Sequence, residues 1–208
     1  MASSRSATTD AASWPALEAR FHALVLPHLD RMLGFAKRRV ASDGDAEDAV
    51  QEACIRAWVG FAELRDETRT RAWLYRILRG VLTDIGEKAV RRNGLVSMTR
   101  LDDVQERLLS NDDEGVFADV VARINSEQLH AALARIPQDF AVAIELHDID
   151  GFKYHEIAEI VGIPLGTVMS RISRGRRMLA ATIVANRKAW ALGTPDTKPL
   201  RFRTGGPS

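Results

Sequence analysis

The sequence predicts an all-α protein: two small helical domains joined by an acidic linker, the second containing a helix-turn-helix. Three observations predict it. Apolar residues recur at spacings of three and four in one segment after another, the period of a helix with one buried face. A run carrying Asp102, Asp103, Glu106, Asp112, Asp113, Glu114 and Asp119 separates two such groups of segments, and each group is small for an independent domain but long enough to fold. Residues 151–177, GFKYHEIAEIVGIPLGTVMSRISRGRR, read as a helix, a tight turn and a second helix.

Composition sets the outer limits. The 208 residues allow one or two small domains, and 46% hydrophobic with 27% charged residues is ordinary for a globular chain. The net charge is only +1, so any nucleic-acid binding must rest on local clusters of basic residues. Cys54 is the only cysteine, which excludes an internal disulfide and any multi-cysteine zinc site. The opening MASSRSATTDAASWP lacks the apolar core of a signal peptide, and no stretch is apolar enough to span a bilayer. The expectation is a cytoplasmic protein with no membrane contact of its own.

Residues 1–15 are rich in Ser, Ala and Thr without an apolar period and are expected to be disordered. The first domain is expected over 16–93. Its helical pattern over 17–40 is interrupted at Pro27, with Leu29, Leu33, Ala36 and Val40 as a buried stripe. A loop at 41–44 precedes a helix over 45–64, capped by Asp45. Ala46, Val50, Ala53, Ala57 and Phe61 form its inward face with Cys54 beside them; Asp48, Glu52, Ile55 and Val59 lie opposite, with Gln51 and Arg56 at the edges. That outer face is either ordinary solvated surface or a docking patch for a basic partner helix, and composition leaves both open. After a loop over 65–69 comes RTRAWLYRILRGVLTDIGEKAVRRN. Its pattern predicts Trp73, Leu74, Ile77 and Val81 inward and Tyr75, Arg76, Arg79 and Thr83 outward. Arginines interleaved with aromatics are the chemistry that grips phosphates and stacks on unpaired bases.

The linker is expected over 94–125 and the second domain over 126–185. Ser126 is the expected cap of a helix with Leu129, Leu133 and Ile136 as its stripe, broken by Pro137. A helix over 138–148 supplies Phe140, Ala143 and Ile144, and Asp150 and Gly151 turn the chain into the helix-turn-helix. In its first helix Ile157 and Val161 point inward. Gly162, Ile163 and Pro164 then supply a left-handed cap and a proline suited to a helix start. In the second helix Leu165, Val168, Ile172, Gly175 and Leu179 share the packing face. Ser170, Ser173, Arg174 and Arg177 project away, with Thr167 and Arg171 on the flanks. A helix fits the major groove, where arginines and hydroxyls reach base edges and phosphates. Residues 186–208 are a polar tail, expected to be unfolded.

Nothing in the chain points to catalysis. His22, His28, His130, His147 and His155 are scattered over different segments without metal-ligand spacing, and there is no phosphate-cradling glycine loop or nucleophile elbow. No catalytic residue, metal or cofactor is expected.

In DAEDAVQEACIRAW, RAWLYRILRGVLTD and YHEIAEIVGIPLGTVMSRISRGRR, with their order and the intervening acidic run, the chain resembles the extracytoplasmic-function group of bacterial RNA polymerase sigma factors of the sigma-70 family. The resemblance covers 21–92 and 126–182. It implies a factor that binds core RNA polymerase through its β′ and β subunits, directs it to promoter DNA and helps open the duplex. It places Asp48, Gln51, Glu52 and Ile55 on the β′ coiled coil. The minus-ten element falls to Arg65, Arg69, Thr70, Arg76, Arg79 and Thr83, and the minus-thirty-five element to Thr167, Ser170, Arg171, Ser173, Arg174 and Arg177. It further implies an anti-sigma factor that covers the polymerase-binding surfaces. The sequence departs from the family pattern at Gly80, where an asparagine is common, and at Ile85, Gly86 and Glu87, where the family is more basic. A glycine there predicts a weaker or kinked helix. The alternative reading is a stand-alone helix-turn-helix transcriptional regulator with an amino-terminal dimerisation or sensing domain.

Overall fold

The computed structural model describes residues 14–93, 117, 121 and 123–190, in a chain that divides into two compact units, Met1–Asp84 and Ile85–Ser208. Among the described residues every regular element is helical. Of the disorder expected over 1–15 and 186–208, residues 1–13 and 191–208 lie outside the described residues, as does most of the expected linker, whereas Trp14 and Pro15 already belong to a helix.

The first unit is built from α1 (Trp14–Val25), α2 (Leu29–Lys37), α3 (Asp43–Gly60) and α4 (Thr70–Asn93), the last running on past the division. Pro27 sits in the 3-10 turn Leu26–His28, where its missing N–H costs nothing and separates α1 from α2. Ala46, Ala49, Ala53 and Ala57 line the buried face of α3, and their small side chains let α2 pack close with Met32, Phe35 and Ala36. Aromatics fill the remaining space. Tyr75 packs against Phe35 at 5.2 Å, and Phe21 meets Trp58 and Phe61 edge-on at 5.0 and 5.1 Å. Each such buried ring contributes about 1.5–3 kcal/mol over an exposed one.

Several expectations shift along the chain. Ser42, not Asp45, caps α3: its Oγ accepts from the Asp45 N–H at 3.1 Å and donates to the Asp45 carboxylate at 2.7 Å. Ala49 replaces the half-buried Val50 on the inward face of α3, and Met32 and Phe35 replace Leu29, Leu33 and Val40 on that of α2. On α4 the packing face is Ala72, Leu74, Tyr75, Leu78, Val81 and Leu82, so Tyr75 is fully buried where the sequence pattern put it outside. The run WLYRILRGVL has apolar pairs at 73/74, 77/78 and 81/82 and therefore fits two helical phases; the phase adopted buries the tyrosine ring and leaves Trp73 and Ile77 half-buried at the edge. Helix α4 also runs unbroken through Gly80.

The second unit holds α5 (Ser126–Leu133), α6 (Gln138–Ile144), which continues as a π-turn over Glu145–Ile149, α7 (Tyr154–Val161) and the long α8 (Leu165–Trp190). Its core joins Leu129, Leu133, Ile136, Ile144, Leu179 and Ile183 to Phe117, Val121 and Ile124. Those last three lie within the stretch read as linker, so the second core starts earlier than the sequence suggested. The cap of α5 is Asn125 rather than Ser126: Asn125 Oδ1 accepts from the Gln128 N–H at 2.8 Å and Gln128 Oε1 from the Asn125 N–H at 3.1 Å, satisfying two helix-end donors reciprocally. Ile160 takes the buried place expected of Val161, and α8 continues four residues past the expected start of the tail at 186.

Candidate polymerase and nucleic-acid interfaces

Three exposed faces carry the candidate residues. On α3, burying the alanine stripe forces the opposite side outward. Asp48, Gln51 and Ile55 are exposed, Glu52 is half-buried, and Ile55 and Val59 stand 54% and 79% exposed. Glu52 is engaged by Arg56, whose guanidinium donates to Glu52 at 2.8 Å and across to Asp84 of α4 at 3.0 Å. These bonds raise the Arg56 pKa above its ordinary value. Apolar residues framed by acids are thus presented by a helix fixed on its far side.

The second face combines α4 with the loop before it. Asp66 organises this loop: its carboxylate accepts from the Thr68 hydroxyl at 2.6 Å and the Thr68 N–H at 3.0 Å, bonds that hold it below the usual carboxylate range. An ion pair between Arg20 and Glu67 at 2.6 Å ties the loop to α1. Arg65 and Arg69 are left exposed. One predicted contact changes role here. Thr70 is only 2% exposed and donates its hydroxyl to the Glu67 carbonyl at 2.7 Å, so it secures the start of α4 and presents no surface to a ligand. Arg76 and Thr83 are exposed and Arg79 is half-buried, and spacings of three and four place them on one side of the helix. The Thr83 hydroxyl donates to the Arg79 carbonyl at 2.9 Å, leaving its oxygen able to accept. Trp73, expected in the core, lies half-buried one turn before Arg76. The indole packs near Gly60, where a Cβ would stand 3.7 Å from its Cζ2.

The third face is the outer side of α8. Gly162 adopts φ +76°, the left-handed conformation that ends α7, and its N–H donates to the Ala158 carbonyl at 2.8 Å. Two residues on, the Pro164 carbonyl accepts from the Thr167 and Val168 N–H groups at 3.0 and 3.1 Å and starts α8. Val168, Ile172 and Leu179 are buried as expected; Leu165 is not, being 48% exposed. Gly175 marks the crossing with α6. A Cβ there would lie 2.8 Å from Ile144 Cδ1 and 3.2 Å from Phe140 Cβ, so glycine is what permits the approach.

The described arginines of α8 differ in exposure and in the neighbours that fix them. Arg174 is exposed and Arg177 half-buried beside the exposed Ser170 and Ser173, with Thr167 half-buried at the flank. Arg171 bonds Asp139 of α6 at 2.7 Å. Arg176 makes a two-pronged bond to Asp148 at 2.6 and 3.0 Å and lies over the Phe117 ring at 5.5 Å. The π-turn is what delivers Asp148 to that spot: its extra residue gives an Asp150 N–H to Glu145 carbonyl bond of 2.8 Å and buries Asp148 with 1% side-chain exposure. Sequence reasoning had no signal for this sorting, because four arginines within seven residues look alike until their neighbours across the fold are known.

Among the described residues no group of His, Cys, Asp and Glu could hold a metal ion, and no helix is long and apolar enough to cross a membrane. Cys54 is half-buried, and burial pushes its thiol pKa up.

Comparison with known proteins adds to this geometry. The family model described as Sigma-70 region 2 matches residues 24–94, and that described as Sigma-70, region 4 matches residues 126–179. The chain is 36% identical to the ECF RNA polymerase sigma factor SigE of Mycolicibacterium smegmatis, over 83% of this chain and 63% of that protein, so it spans less than two thirds of that relative's length. It is 32% identical to the ECF RNA polymerase sigma-E factor of Haemophilus influenzae over 76% of this chain and 85% of that one. The Escherichia coli K12 sigma-E factor is also 32% identical, over 76% and 84%. Among solved structures, the sigma factor RpoE in complex with the anti-sigma factor NepR from Bartonella quintana superposes with a TM-score of 0.63 at 25% identity, covering 81% of this chain and 99% of that one.

Proposed function

The chain belongs to the extracytoplasmic-function group of RNA polymerase sigma factors, and from that premise we propose how its three faces divide the work of promoter-directed transcription initiation. The observation that carries the division is the order of the faces along the chain: an acidic and apolar helix face, a basic face with a half-exposed tryptophan, and a groove-sized basic helix in a separate unit.

Asp48, Gln51, Glu52 and Ile55 on α3 dock on core RNA polymerase. Arg65, Arg69, Arg76, Arg79 and Thr83 hold the minus-ten element while Trp73 offers a ring to an unstacked base, the chemistry that melted DNA requires. Thr167, Ser170, Ser173, Arg174 and Arg177 face the duplex minus-thirty-five element, and Arg171 and Arg176 hold the helix that presents them. Polymerase performs the chemistry; this chain supplies promoter choice, in the cytoplasm where polymerase and promoter meet. Binding of an anti-sigma factor over the α3 face is consistent with the exposure of Ile55 and Val59.

Run-off transcription with bacterial core polymerase on pooled genomic fragments tests the reading. Transcripts that require the chain and disappear with the exposed-face variant Asp48→Lys are the expected result. No transcripts and no complex with core on a sizing column, after any co-purified inhibitor has been stripped away, would instead favour a stand-alone regulator.

A further inference from the structure

The outer face of α8 contains a residue that charge-based reasoning passes over. Met169 is 48% exposed, on the second turn of the helix, beside Ser170 and one turn before Ser173. Leu165, one turn earlier, is exposed to the same degree. Neither packs in the core, which on this helix is formed by Val168, Ile172, Leu179 and Ile183.

The residues around them narrow the possible occupant. The amino-terminal turns of a recognition helix approach base edges most closely. In those turns Arg171 is engaged by Asp139, so the chain presents hydroxyls and a thioether there, and the exposed Arg174 lies further along. An apolar, adaptable side chain flanked by hydroxyls and followed by an arginine complements a groove floor bordered by phosphates. The one apolar feature on the major-groove floor is the 5-methyl group of thymine. Methionine suits it, being unbranched, polarisable and able to adjust its three rotors to a small methyl surface.

We propose that Met169 is a specificity-determining residue that reads the 5-methyl group of one thymine in the minus-thirty-five element. This rests on the assignment of α8 to that element. It differs from arginine-based readout in a defined way: specificity at that base pair follows the methyl group, not the hydrogen-bonding pattern.

Replacing thymine by deoxyuridine removes only the methyl group, so the test uses holoenzyme assembled from the full chain and bacterial core polymerase on a promoter recovered by run-off transcription. Each thymine of the minus-thirty-five element is replaced in turn and affinity is measured by competition. For the unsubstituted protein, one replacement is expected to weaken binding about fourfold, the effect of one buried methyl group. Met169→Ala should bind the thymine promoter more weakly and lose that difference, and Met169→Leu should restore it. A deoxyuridine penalty that persists in Met169→Ala, or indifference of the unsubstituted protein to every thymine methyl, overturns the proposal. Arg174→Ala separates the two levels of inference. If it weakens binding while the methyl effect is absent, only the role of Met169 fails; if it too has no effect on binding, the assignment of α8 to the minus-thirty-five element fails with it.

Discussion

The two units hold their exposed helix faces in place with different interiors. In the first, Phe35, Tyr75, Phe61, Leu74 and Leu78 make an apolar and aromatic core, and ion pairs such as Arg20–Glu67 and Arg56–Asp84 lie at the surface with side chains 45–49% exposed. In the second, Glu145, His147, Asp148 and Asp150 are all buried, and Arg176–Asp148 is an ion pair with 12% and 1% side-chain exposure. Apolar packing is tolerant of small shifts, whereas a two-pronged guanidinium-carboxylate bond holds only one geometry. On the proposed division of work, the first unit presents broad faces to protein and melted DNA, while the second fixes the angle of the helix assigned to the groove.

The largest effect that would break this contrast is at Asp148. Asp148→Ala leaves the Arg176 charge buried without its carboxylate and should destabilise the second unit by about 3–5 kcal/mol. Asp84→Ala, at the exposed pair, should cost the first unit less than about 1 kcal/mol. Urea unfolding in a Trp190→Phe background separates them, since the remaining Trp14, Trp58 and Trp73 then report on the first unit by fluorescence while circular dichroism follows both. Equal losses would mean that the buried pair contributes no more than a surface one.

Next in size is Gly175→Ala. The new Cβ would meet Ile144 Cδ1 and Cγ1 at 2.8 and 3.0 Å and Phe140 Cβ at 3.2 Å. The isoleucine tip can turn away, but a Cβ moves only with its backbone, so α6 and α8 must separate. A loss of about 1–3 kcal/mol is expected, with weaker binding to a minus-thirty-five duplex because the helix is displaced. Unchanged stability would show that the crossing has room to spare.

How much of this could be read from the sequence follows the same division. Helix punctuation was legible at Pro27, Gly162 and Pro164, which act where their backbone chemistry predicts, and of the outward set Asp48, Ile55, Val59, Arg76, Thr83, Ser170, Ser173 and Arg174 are exposed as expected. Helical phase was not legible where apolar residues come in pairs. That ambiguity put Tyr75 in the core in place of Trp73 and Ile160 in place of Val161, because only the neighbouring helices decide which phase is covered. Long-range electrostatics were invisible as well. Asp148 and Arg176 are 28 residues apart, and the π-turn that joins them has no sequence signature comparable to a cap. Nor did an acidic composition over 94–125 reveal that Phe117, Val121 and Ile124 belong to the second core.

Gly80→Ala sharpens the comparison by reversing the sign seen at Gly175. A Cβ at Gly80 meets nothing within 4 Å, and α4 is continuous through it. Alanine should therefore stabilise the first unit by about 0.5–1 kcal/mol through helix propensity and a less free unfolded chain. A higher fluorescence-detected urea midpoint, with no change at the second unit, is the expected reading. A lower midpoint would mean that α4 is strained at this point.

The smallest expected effect concerns His28, a titrating group that the first unit half-buries beside cations. Burial, then the charges of Arg71 and Arg31, push the His28 pKa below its usual 6.5. The folded first unit consequently binds fewer protons at His28 than the unfolded chain does as pH falls through 6.5. Stability from this residue is present above that pH and is lost as pH drops toward the depressed folded value. His28→Gln, which cannot charge, should flatten this limb of the fluorescence-detected stability profile and leave the second unit's response to acid unchanged. An identical slope in the variant would place the acid sensitivity of the first unit elsewhere, in carboxylates such as Asp66, whose depressed pKa acts at lower pH.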